Sequence, residues 1–413
     1  MWHHADMVKR QFPRFSEFAH LLKPAPREGT HLERVLQRKA NVYDLRKRGK
    51  RRTPQAVFDY VDGAADDEIS LARSRNLFHR LEFVPKVLRD VSECDTTTTY
   101  LGVKSAYPFA FAPTGFNRMM HCEGEPAVAR VAQRTGIPYT LSTLGTTTPE
   151  DLTAAAPDGD RWFQLYVWKD REFSVKLIER AKNAGFRTLV LTVDLPVGGA
   201  RLRDVRNGMT VPPSLTMRTF IDGAMHPAWW FDFLTTEPLT FATLEALGSN
   251  VAESITEIFD PSMDFDDLAW LRDQWDGPIV IKGVQTIEDT RKVVDHGVNG
   301  VILSNHGGRQ LDRSPVTLRL VEPTVAALGN DAEVFVDGGI MNGADVVAAI
   351  ALGAQGCFVG RAYLYGLMAG GERGVQRMVE IFAGDVVRTM QLLGARSVAD
   401  LTPDLVRLPP DDR

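Results

Sequence analysis

A histidine and an aspartate from two separate motifs could together act as a general base. His306 lies in SNHGGRQLD, a glycine-rich stretch typical of a turn, and Asp194 closes the apolar run TLVLTVD. An imidazole paired with a carboxylate is poised to take a proton near neutral pH. A single histidine is more often a structural hydrogen-bonding residue. The functional interpretation is favoured here because Tyr166, Lys282 and Arg309 are predicted at the same end of the fold.

Glycines follow two other apolar runs and could hold a phosphate. The run EVFVD from Glu333 continues as GGIMNG, and GCFV from Gly356 continues as Gly360 and Arg361. Glycines let backbone N–H groups approach an oxyanion, a helix starting near Gly343 would point its N-terminus at it, and a guanidinium adds a fork of donors. Tight turns are the structural alternative for such glycines. The pattern favours a phosphate-bearing cofactor.

All of these groups follow short β-branched or aromatic runs, and eight such runs recur along the chain. They are PFAFAP, PYTLST, WFQLYV, TLVLTVD, PIVIKG, GVILSN, EVFVDGG and GCFVG. Stretches with helical periodicity lie between most of them, for example FSVKLIERAKNAG and TIEDTRKVVDHG. Eight strand–helix units predict an α/β fold of the TIM (β/α)8 barrel type, with a doubly wound parallel sheet as the weaker alternative.

In a TIM barrel the reactive side chains gather where the strands end. Residues two apart on a strand, such as Gln164 and Tyr166, point to the same face. The barrel hypothesis therefore predicts one polar mouth, with no His/Cys set that would indicate a metal. The residues expected there, strand by strand, are Ala112, Pro113, Thr114 and Gly115; Ser142 and Thr143; Gln164 and Tyr166; Thr192 and Asp194; Lys282; Ser304, Asn305 and His306; Asp337, Gly338 and Gly339; Gly360 and Arg361.

The composition is that of a folded chain and excludes several classes of function. Of 413 residues, 44% are hydrophobic and 24% charged, and 48 basic against 53 acidic residues offer no general attraction to nucleic acid. Cys94, Cys122 and Cys357 are too widely spaced to predict a disulfide framework and fit a reducing cytoplasm. The longest uncharged stretches, about 15 residues, are too short to span a bilayer, and the first residues lack a signal-peptide core.

Two segments do not follow the alternation of strands and helices. Residues 1–50, rich in Lys, Arg and His, are predicted to be an arm before a catalytic domain over 51–400. Residues 198–277 form a long insertion after the fourth strand and carry the aromatic motif AWWFDF from Ala228. Insertions of this length are usually lids or binding loops. The aromatic side chains either pack the insertion onto the barrel or contact a membrane surface or another subunit.

In their order along the chain, these motifs resemble those of the FMN-dependent 2-hydroxy-acid oxidase and dehydrogenase family. The resemblance covers about residues 57–381, and SNHGGRQLD is nearly diagnostic. GARLRDVRNGM from Gly199 and HPAWWFD from His226 most resemble the quinone-linked respiratory L-lactate dehydrogenases. The other motifs that carry the resemblance are FDYVDGAADDE, APTG, FQLYVWKDR, TVDLPVGGARLRD and VIKG.

The resemblance implies that the chain binds FMN and oxidises an (S)-2-hydroxy acid to a 2-oxo acid. Tyr60 and Arg309 would hold the substrate carboxylate, and Arg201 would enter from the insertion as a further guanidinium. Tyr166 would hydrogen-bond the substrate oxygen. A guanidinium fork explains why the substrate must be an acid.

The resemblance also assigns the proton transfer and the cofactor contacts. His306 would be the base, its cation stabilised by Asp194, and both removal of the Cα proton and removal of the hydroxyl proton with hydride transfer are compatible with this pair. Lys282 would stabilise negative charge on the reduced flavin. The other residues that would contact FMN are Ala112, Pro113 and Thr114, with Ser142, Gln164 and Thr192, for the ring, and Ser304, Asp337, Gly338, Gly339, Gly343, Gly360 and Arg361 for the ribityl chain and phosphate.

Three further positions bear on specificity. Leu144, where glycolate oxidases tend to carry Trp, favours a small substituent and hence L-lactate as substrate. Gly115, where oxidases more often carry Ala, favours a quinone over oxygen as electron acceptor. Met341 stands where many relatives have a phosphate-contacting Arg, which bears on FMN affinity and leaves the chemistry unaffected.

The resemblance further implies a cytoplasmic homotetramer with a peripheral contact to the inner face of the cell membrane and no nucleic-acid partner. Three alternatives stay open at this point. They are an oxygen-using 2-hydroxy-acid oxidase, an FMN enzyme that oxidises a peptide-derived precursor, and a non-catalytic flavin-binding protein. The last has no use for His306 paired with Asp194, and the second has less use for Tyr60 and two carboxylate-binding arginines.

Overall fold

Eight parallel strands close into a barrel, as the recurring apolar runs predict. The computed structural model describes residues 12, 14–18, 29–208, 217–242 and 259–410, without the side chains of 217–220. The last barrel strand pairs with the first, which excludes the doubly wound alternative. The barrel strands are β4 (Phe109–Phe111), β5 (Tyr139–Ser142), β6 (Arg161–Leu165), β7 (Thr188–Thr192), β8 (Ile279–Val284), β9 (Gly300–Leu303), β10 (Glu333–Asp337) and β11 (Gly356–Val359).

Two small antiparallel pairs lie outside the barrel. Strand β1 (Glu82–Phe83) pairs with β12 (Val406–Arg407), and β2 (Thr98–Tyr100) forms a hairpin with β3 (Val103–Ser105). The hairpin matters for the barrel because it carries Tyr100, whose ring stacks on that of Phe335 at a centroid distance of 5.3 Å.

Helices surround the barrel and precede it. Before the barrel lie α1 (Phe15–Phe18), α2 (His31–Gln37), α3 (Val42–Arg52), α4 (Gln55–Asp62) and α5 (Ile69–Arg80). Between β4 and the end of the insertion lie α6 (Asn117–Met120), α7 (Gly124–Thr135), α8 (Pro149–Ala155), α9 (Arg171–Asn183), α10 (Leu202–Arg206), α11 (Met217–Ala224), α12 (Pro227–Thr235) and α13 (Asp267–Gln274). The remaining helices are α14 (Ile287–Asp295), α15 (Leu318–Leu328), α16 (Gly343–Ala351) and α17 (Arg361–Leu393).

The interior of the barrel is filled by large apolar side chains at one end. Trp162, Phe335 and Phe358 pack around Tyr100 there, together with smaller residues such as Val280. Strands buried on both faces read as continuous apolar runs, which is why the sequence shows them so plainly. With this end filled, polar groups are accommodated only at the other end.

The described part of the predicted N-terminal arm contributes to the core. Leu36, Val42 and Leu45 are buried, and α3 packs against α17. Arg46 forms a two-pronged ion pair with Asp62 at the end of α4, at 2.5 and 2.8 Å. These contacts position α4, the helix that carries Tyr60. Among the described residues, no helix is long and apolar enough to cross a membrane.

Candidate active site

The predicted pairing of His306 with Asp194 is present at the polar end of the barrel. His306 Nδ1 lies 2.9 Å from Asp194 Oδ1, across from the end of β7. The turn that carries His306 is tight, with His306 itself at φ 56°, and its backbone N–H donates to Ser304 Oγ at 3.0 Å. Both ends of this contact are therefore fixed by short loops that directly follow strands.

The charges around this pair set its protonation. Burial alone would raise the pKa of Asp194, but the charges of His306 and Lys282 and the hydrogen bond from His306 hold it below its ordinary value. Burial lowers the pKa of His306, and the carboxylate of Asp194 opposes that shift. The imidazole is therefore unprotonated at neutral pH and able to accept a proton.

Lys282 lies on the inner face of β8 as a charged group held in the interior. Its Nζ donates to Ser304 Oγ at 2.9 Å and lies 3.2 Å from Asp337 Oδ2. Burial would lower the pKa of this ammonium, but Asp337 and Asp194 raise it above its ordinary value. Lys282 therefore stays positively charged beside His306 and Asp194.

Several polar atoms at this end of the barrel are buried without a protein partner. The Gln164 amide oxygen accepts from Ser142 Oγ at 3.1 Å and from Thr143 N at 3.2 Å, which leaves its Nε2 with none. Buried polar atoms without partners are rare in folded proteins, so a cluster of them indicates a polar ligand. The others in this region are Thr192 Oγ1, Asp194 Oδ2, Arg201 Nε and Asp337 Oδ1.

Two guanidiniums gather on the other side of the base. Burial lowers the pKa of Arg309, and the neighbouring charge of Arg201 lowers it further. The guanidinium of Arg309 lies 4.8 Å from the centre of the Tyr60 ring, and Asp204 is the carboxylate that acts on both arginines. Because like charges held together repel, this arrangement favours an anion between them.

Tyr166 connects the base with the guanidiniums. Burial and the charge of Asp194 raise the pKa of its phenol, which therefore remains protonated and able to donate a hydrogen bond. The side chains that act on this phenol besides Asp194 are Arg201, Tyr60 and Arg309. The structure thus brings together all the residues predicted to contact the substrate.

The glycine-rich strand ends are placed as predicted, with one difference in what their arginine contacts. Gly338 and Gly339 have φ of 95° and 80°, which glycine adopts without strain. Arg361 donates to the carbonyl oxygens of Val61, Gly307 and Gly63 at 2.9, 2.8 and 2.7 Å. Its predicted phosphate contact stays a prediction.

The other residues predicted to contact the cofactor differ in whether protein contacts already occupy them. At Gly343 a Cβ would meet the backbone of α17 at 2.4 Å, so helix packing alone accounts for that glycine. Ala112 O accepts from Tyr363 Oη at 3.1 Å, and Thr114 Oγ1 contacts Asn117 and Tyr363. At Gly360 a Cβ would lie 3.8 and 3.9 Å from Thr114 and Ala112, so a ligand has room to approach there.

Three residues at the site were not predicted from sequence. Leu195 and Phe259 form an apolar cluster with Tyr166 and Leu144, and the Phe259 ring packs edge-on against Tyr166 at 5.0 Å. Phe259 belongs to the insertion, and no motif or periodicity marks it. Arg75 of α5 donates to Gly339 O and to Asp345 Oδ2, which fixes the glycine turn from outside the barrel.

Comparison with known proteins places this arrangement in a family. A family model described as FMN-dependent dehydrogenase matches residues 49–408. The chain belongs to this family. A Mycobacterium tuberculosis protein provisionally named L-lactate dehydrogenase is 54% identical over 396 residues, which covers 96% of each chain. Glycolate oxidase of Spinacia oleracea is 40% identical, over 88% of this chain and 94% of its own. A crystal structure titled monotopic membrane protein (S)-mandelate dehydrogenase superimposes with a TM-score of 0.86 at 37% identity, over 90% of this chain and all of that one.

The site of this FMN-dependent dehydrogenase fits its cofactor. The unpartnered Gln164 amide and Thr192 hydroxyl offer hydrogen bonds to a polar ring, and Lys282 offers a positive charge beside it. Glycines such as Gly338 and Gly360 would let backbone N–H groups approach a phosphate. The buried polar atoms that lack protein partners are thus the kind that a flavin nucleotide would satisfy.

Proposed function

We propose that this FMN-dependent 2-hydroxy-acid oxidoreductase converts L-lactate to pyruvate and passes the electrons to a quinone. One observation carries the substrate class: a histidine held at 2.9 Å by a carboxylate lies at the same barrel mouth as two guanidiniums whose like charges repel. A 2-hydroxy acid supplies both a carboxylate for the guanidiniums and a hydroxylated carbon for the base.

The residues would divide the chemistry as follows. FMN, when bound, would accept the two electrons and one of the two protons that the substrate loses. Arg201 and Arg309 hold the carboxylate, and Tyr166 donates to a substrate oxygen. His306 takes one proton from the substrate and becomes a cation that Asp194 stabilises. Lys282 remains protonated and balances negative charge on the cofactor side.

The size of the substrate is limited by an apolar wall. Leu144, Leu195 and Phe259 pack around Tyr166 and leave the methyl group of lactate apolar contacts. A phenyl substituent, as in the named substrate of the mandelate dehydrogenase relative, is the second candidate, because Phe259 packs edge-on against Tyr166 and aromatic rings favour such contacts.

The test is anaerobic reduction of the purified protein. A yellow visible spectrum that bleaches on addition of L-lactate supports the proposal, and D-lactate and (S)-mandelate added at equal concentration serve as comparisons. If mandelate bleaches the flavin with a higher kcat/KM than lactate does, mandelate is the preferred substrate. A colourless protein, or one whose spectrum no 2-hydroxy acid changes, contradicts the proposal. Oxidation of the reduced protein by a soluble quinone and by oxygen is then compared to identify the acceptor.

The insertion would supply a peripheral membrane contact for meeting a lipid-dissolved quinone. In α12, Trp229 faces the barrel and donates from Nε1 to Met119 O at 2.9 Å, so packing accounts for this ring. Phe231 and Leu234, in contrast, are 67% and 71% exposed, and Met225 at the end of α11 is exposed as well. Apolar side chains exposed together on short helices suit the headgroup boundary of a membrane.

Co-sedimentation with liposomes of bacterial lipid composition tests this contact. Phe231→Ser combined with Leu234→Ser should reduce liposome binding while lactate-driven dye reduction is unchanged. The matched control is Val87→Ser with Leu88→Ser, which removes two apolar residues outside the insertion that are even more exposed. If the parent stays in the supernatant, or both double variants bind alike, the membrane role of α12 is wrong. The homotetramer remains a prediction, for which sedimentation velocity is the measurement.

A further inference from the structure

A second group of polar side chains lies away from the barrel mouth, where the insertion meets the barrel. His121 and Cys122 follow α6, and Asp232 lies on α12, about 110 residues further along the chain. One donor atom from each residue lies within 4.8 Å of the other two. Cys122 Sγ lies 3.8 Å from His121 Nδ1. Among the described residues this is the one set of three metal-binding side chain types that converges in this way.

The three side chains line a small cavity. Its volume is about 20 Å³, which is enough for one water-sized guest. All three residues are half-buried. The hydrogen bond from Trp229 to Met119 seats α12 against the segment that carries His121 and Cys122, so the donors are held together by the fold.

We propose that His121, Cys122 and Asp232 bind one Zn²⁺ ion, which ties α12 of the insertion to the barrel. An imidazole, a thiolate and a carboxylate suit a divalent ion of borderline softness, and three protein ligands leave a fourth position for water. Tetrahedral geometry with Zn–S and Zn–N bonds of about 2.3 and 2.0 Å places S and N about 3.5 Å apart, so a shift of about 0.3 Å from the separation observed between Cys122 and His121 would suffice.

Groups of both signs surround this position: Glu123 Oε2 lies 3.8 Å from His121 Nδ1, and Arg52 and Arg118 line the cavity. Nδ1 accepts a long hydrogen bond of 3.3 Å from Glu123 N, which the ion would replace. Of the two arginines that line the cavity, Arg52 and Arg118, the latter is paired with Glu237. Binding releases the Cys122 thiol proton to solvent, so the thiolate is the ligand.

Metal content of the FMN-loaded full chain, without an affinity tag, is the first measurement. After equilibration with Zn²⁺ and gel filtration, the parent should retain one ion per chain. Cys122→Ser and Asp232→Asn should each bind Zn²⁺ at least about tenfold more weakly. The matched control is Cys94→Ser, which removes a half-buried thiol elsewhere and should bind like the parent. All four proteins keep His3 and His4, which lie outside the described residues and could bind Zn²⁺ themselves. If all four retain the same amount of Zn²⁺, the proposed site is therefore refuted.

Two further readouts distinguish a ligand set from a structural role. Co²⁺ in place of Zn²⁺ should give a thiolate charge-transfer band in the parent and in Cys94→Ser, and its absence in the parent overturns the proposal even where a variant fails to fold. Zn²⁺ should slow amide hydrogen exchange over residues 227–235 in the parent and leave it unchanged in Cys122→Ser. Binding without slower exchange in the parent refutes the tie to α12.

Discussion

Replacing Asp194 by Asn tests how much the carboxylate contributes to the base. The substitution keeps the shape of the side chain and a hydrogen-bonding group 2.9 Å from His306 Nδ1, and removes the negative charge. That charge stabilises the site only once His306 has taken the proton and become a cation. The rate of flavin reduction should therefore fall while FMN remains bound.

The size of the loss follows from the geometry. Two unit charges about 4 Å apart attract by about 4 kcal/mol at an effective dielectric constant near 20. A hydrogen bond to a charged group contributes about 1.5–3 kcal/mol in mutational series. Between about 2 and 4 kcal/mol of transition-state stabilisation is thus lost, and with about 1.4 kcal/mol per factor of ten this is roughly a 30- to 1,000-fold slower reduction.

Anaerobic stopped-flow mixing with L-lactate measures this rate as the bleaching of the oxidised flavin. The pH profile supplies a second, independent result. Asp194 opposes the lowering of the His306 pKa that burial causes, so removing its charge lowers that pKa further. Reduction needs the unprotonated imidazole, so the acid limb of the profile should move to lower pH in the variant.

Asp204→Asn is the matched control, because Asp204 lies at the same end of the barrel and acts on the two arginines without a contact to His306. Its effect should appear in substrate binding and leave the acid limb in place. If Asp194→Asn reduces its flavin within threefold of the parent rate and its acid limb does not move, the assignment of Asp194 as the partner of the base is refuted.

Three other substitutions separate the base, the carboxylate site and the cofactor site. His306→Gln should retain FMN and lose at least about 100-fold in flavin reduction, since the proton acceptor is gone; a parent-like rate in stopped flow excludes His306 as the base. Arg309→Lys keeps the charge but loses the planar fork, so titration should show weaker binding of oxalate than in the parent with FMN affinity nearly unchanged, and equal losses would place Arg309 on the cofactor. Thr192→Val removes a hydroxyl that has no protein partner, so fluorescence titration should show FMN bound about two- to tenfold more weakly while thermal melting of the apoprotein is unchanged or higher; unchanged FMN affinity would remove Thr192 from the cofactor site.

The barrel and much of its mouth were predictable because their signals are local. A parallel strand buried on both faces is an apolar run, and a side chain at its end is read directly from the sequence, as with Asp194 after TLVLTVD. Once eight runs indicate a barrel, the ends must meet at one mouth. The topology thus brings His306 and Asp194, more than 110 residues apart, to the same mouth, and the structure shows that they are in contact.

What the sequence did not show depends on contacts between distant segments. Phe259 reaches the site through a bridge to Trp168, and nothing in the neighbouring residues marks it as apolar wall. The arm over residues 1–50 was predicted from its Lys, Arg and His content, and in its described part Leu36, Val42 and Leu45 supply apolar surface that packs on the core. A high charge content conceals a narrow apolar face, since the composition averages over both sides of a helix.

The three carbonyls held by Arg361 have a consequence for the order of events during synthesis. Arg361 anchors Val61, at the end of the helix that carries Tyr60, from 300 positions further along the chain. At about 5–20 residues per second, a ribosome needs roughly 15–60 s to travel that distance. During that interval Val61 lacks this anchor, although the ion pair between Arg46 and Asp62 can already hold the end of α4. The segment that carries Tyr60 therefore gains its last contacts only once β11 has emerged to close the barrel against β4, and a nascent chain that stops before β11 has neither the closed barrel nor Arg361.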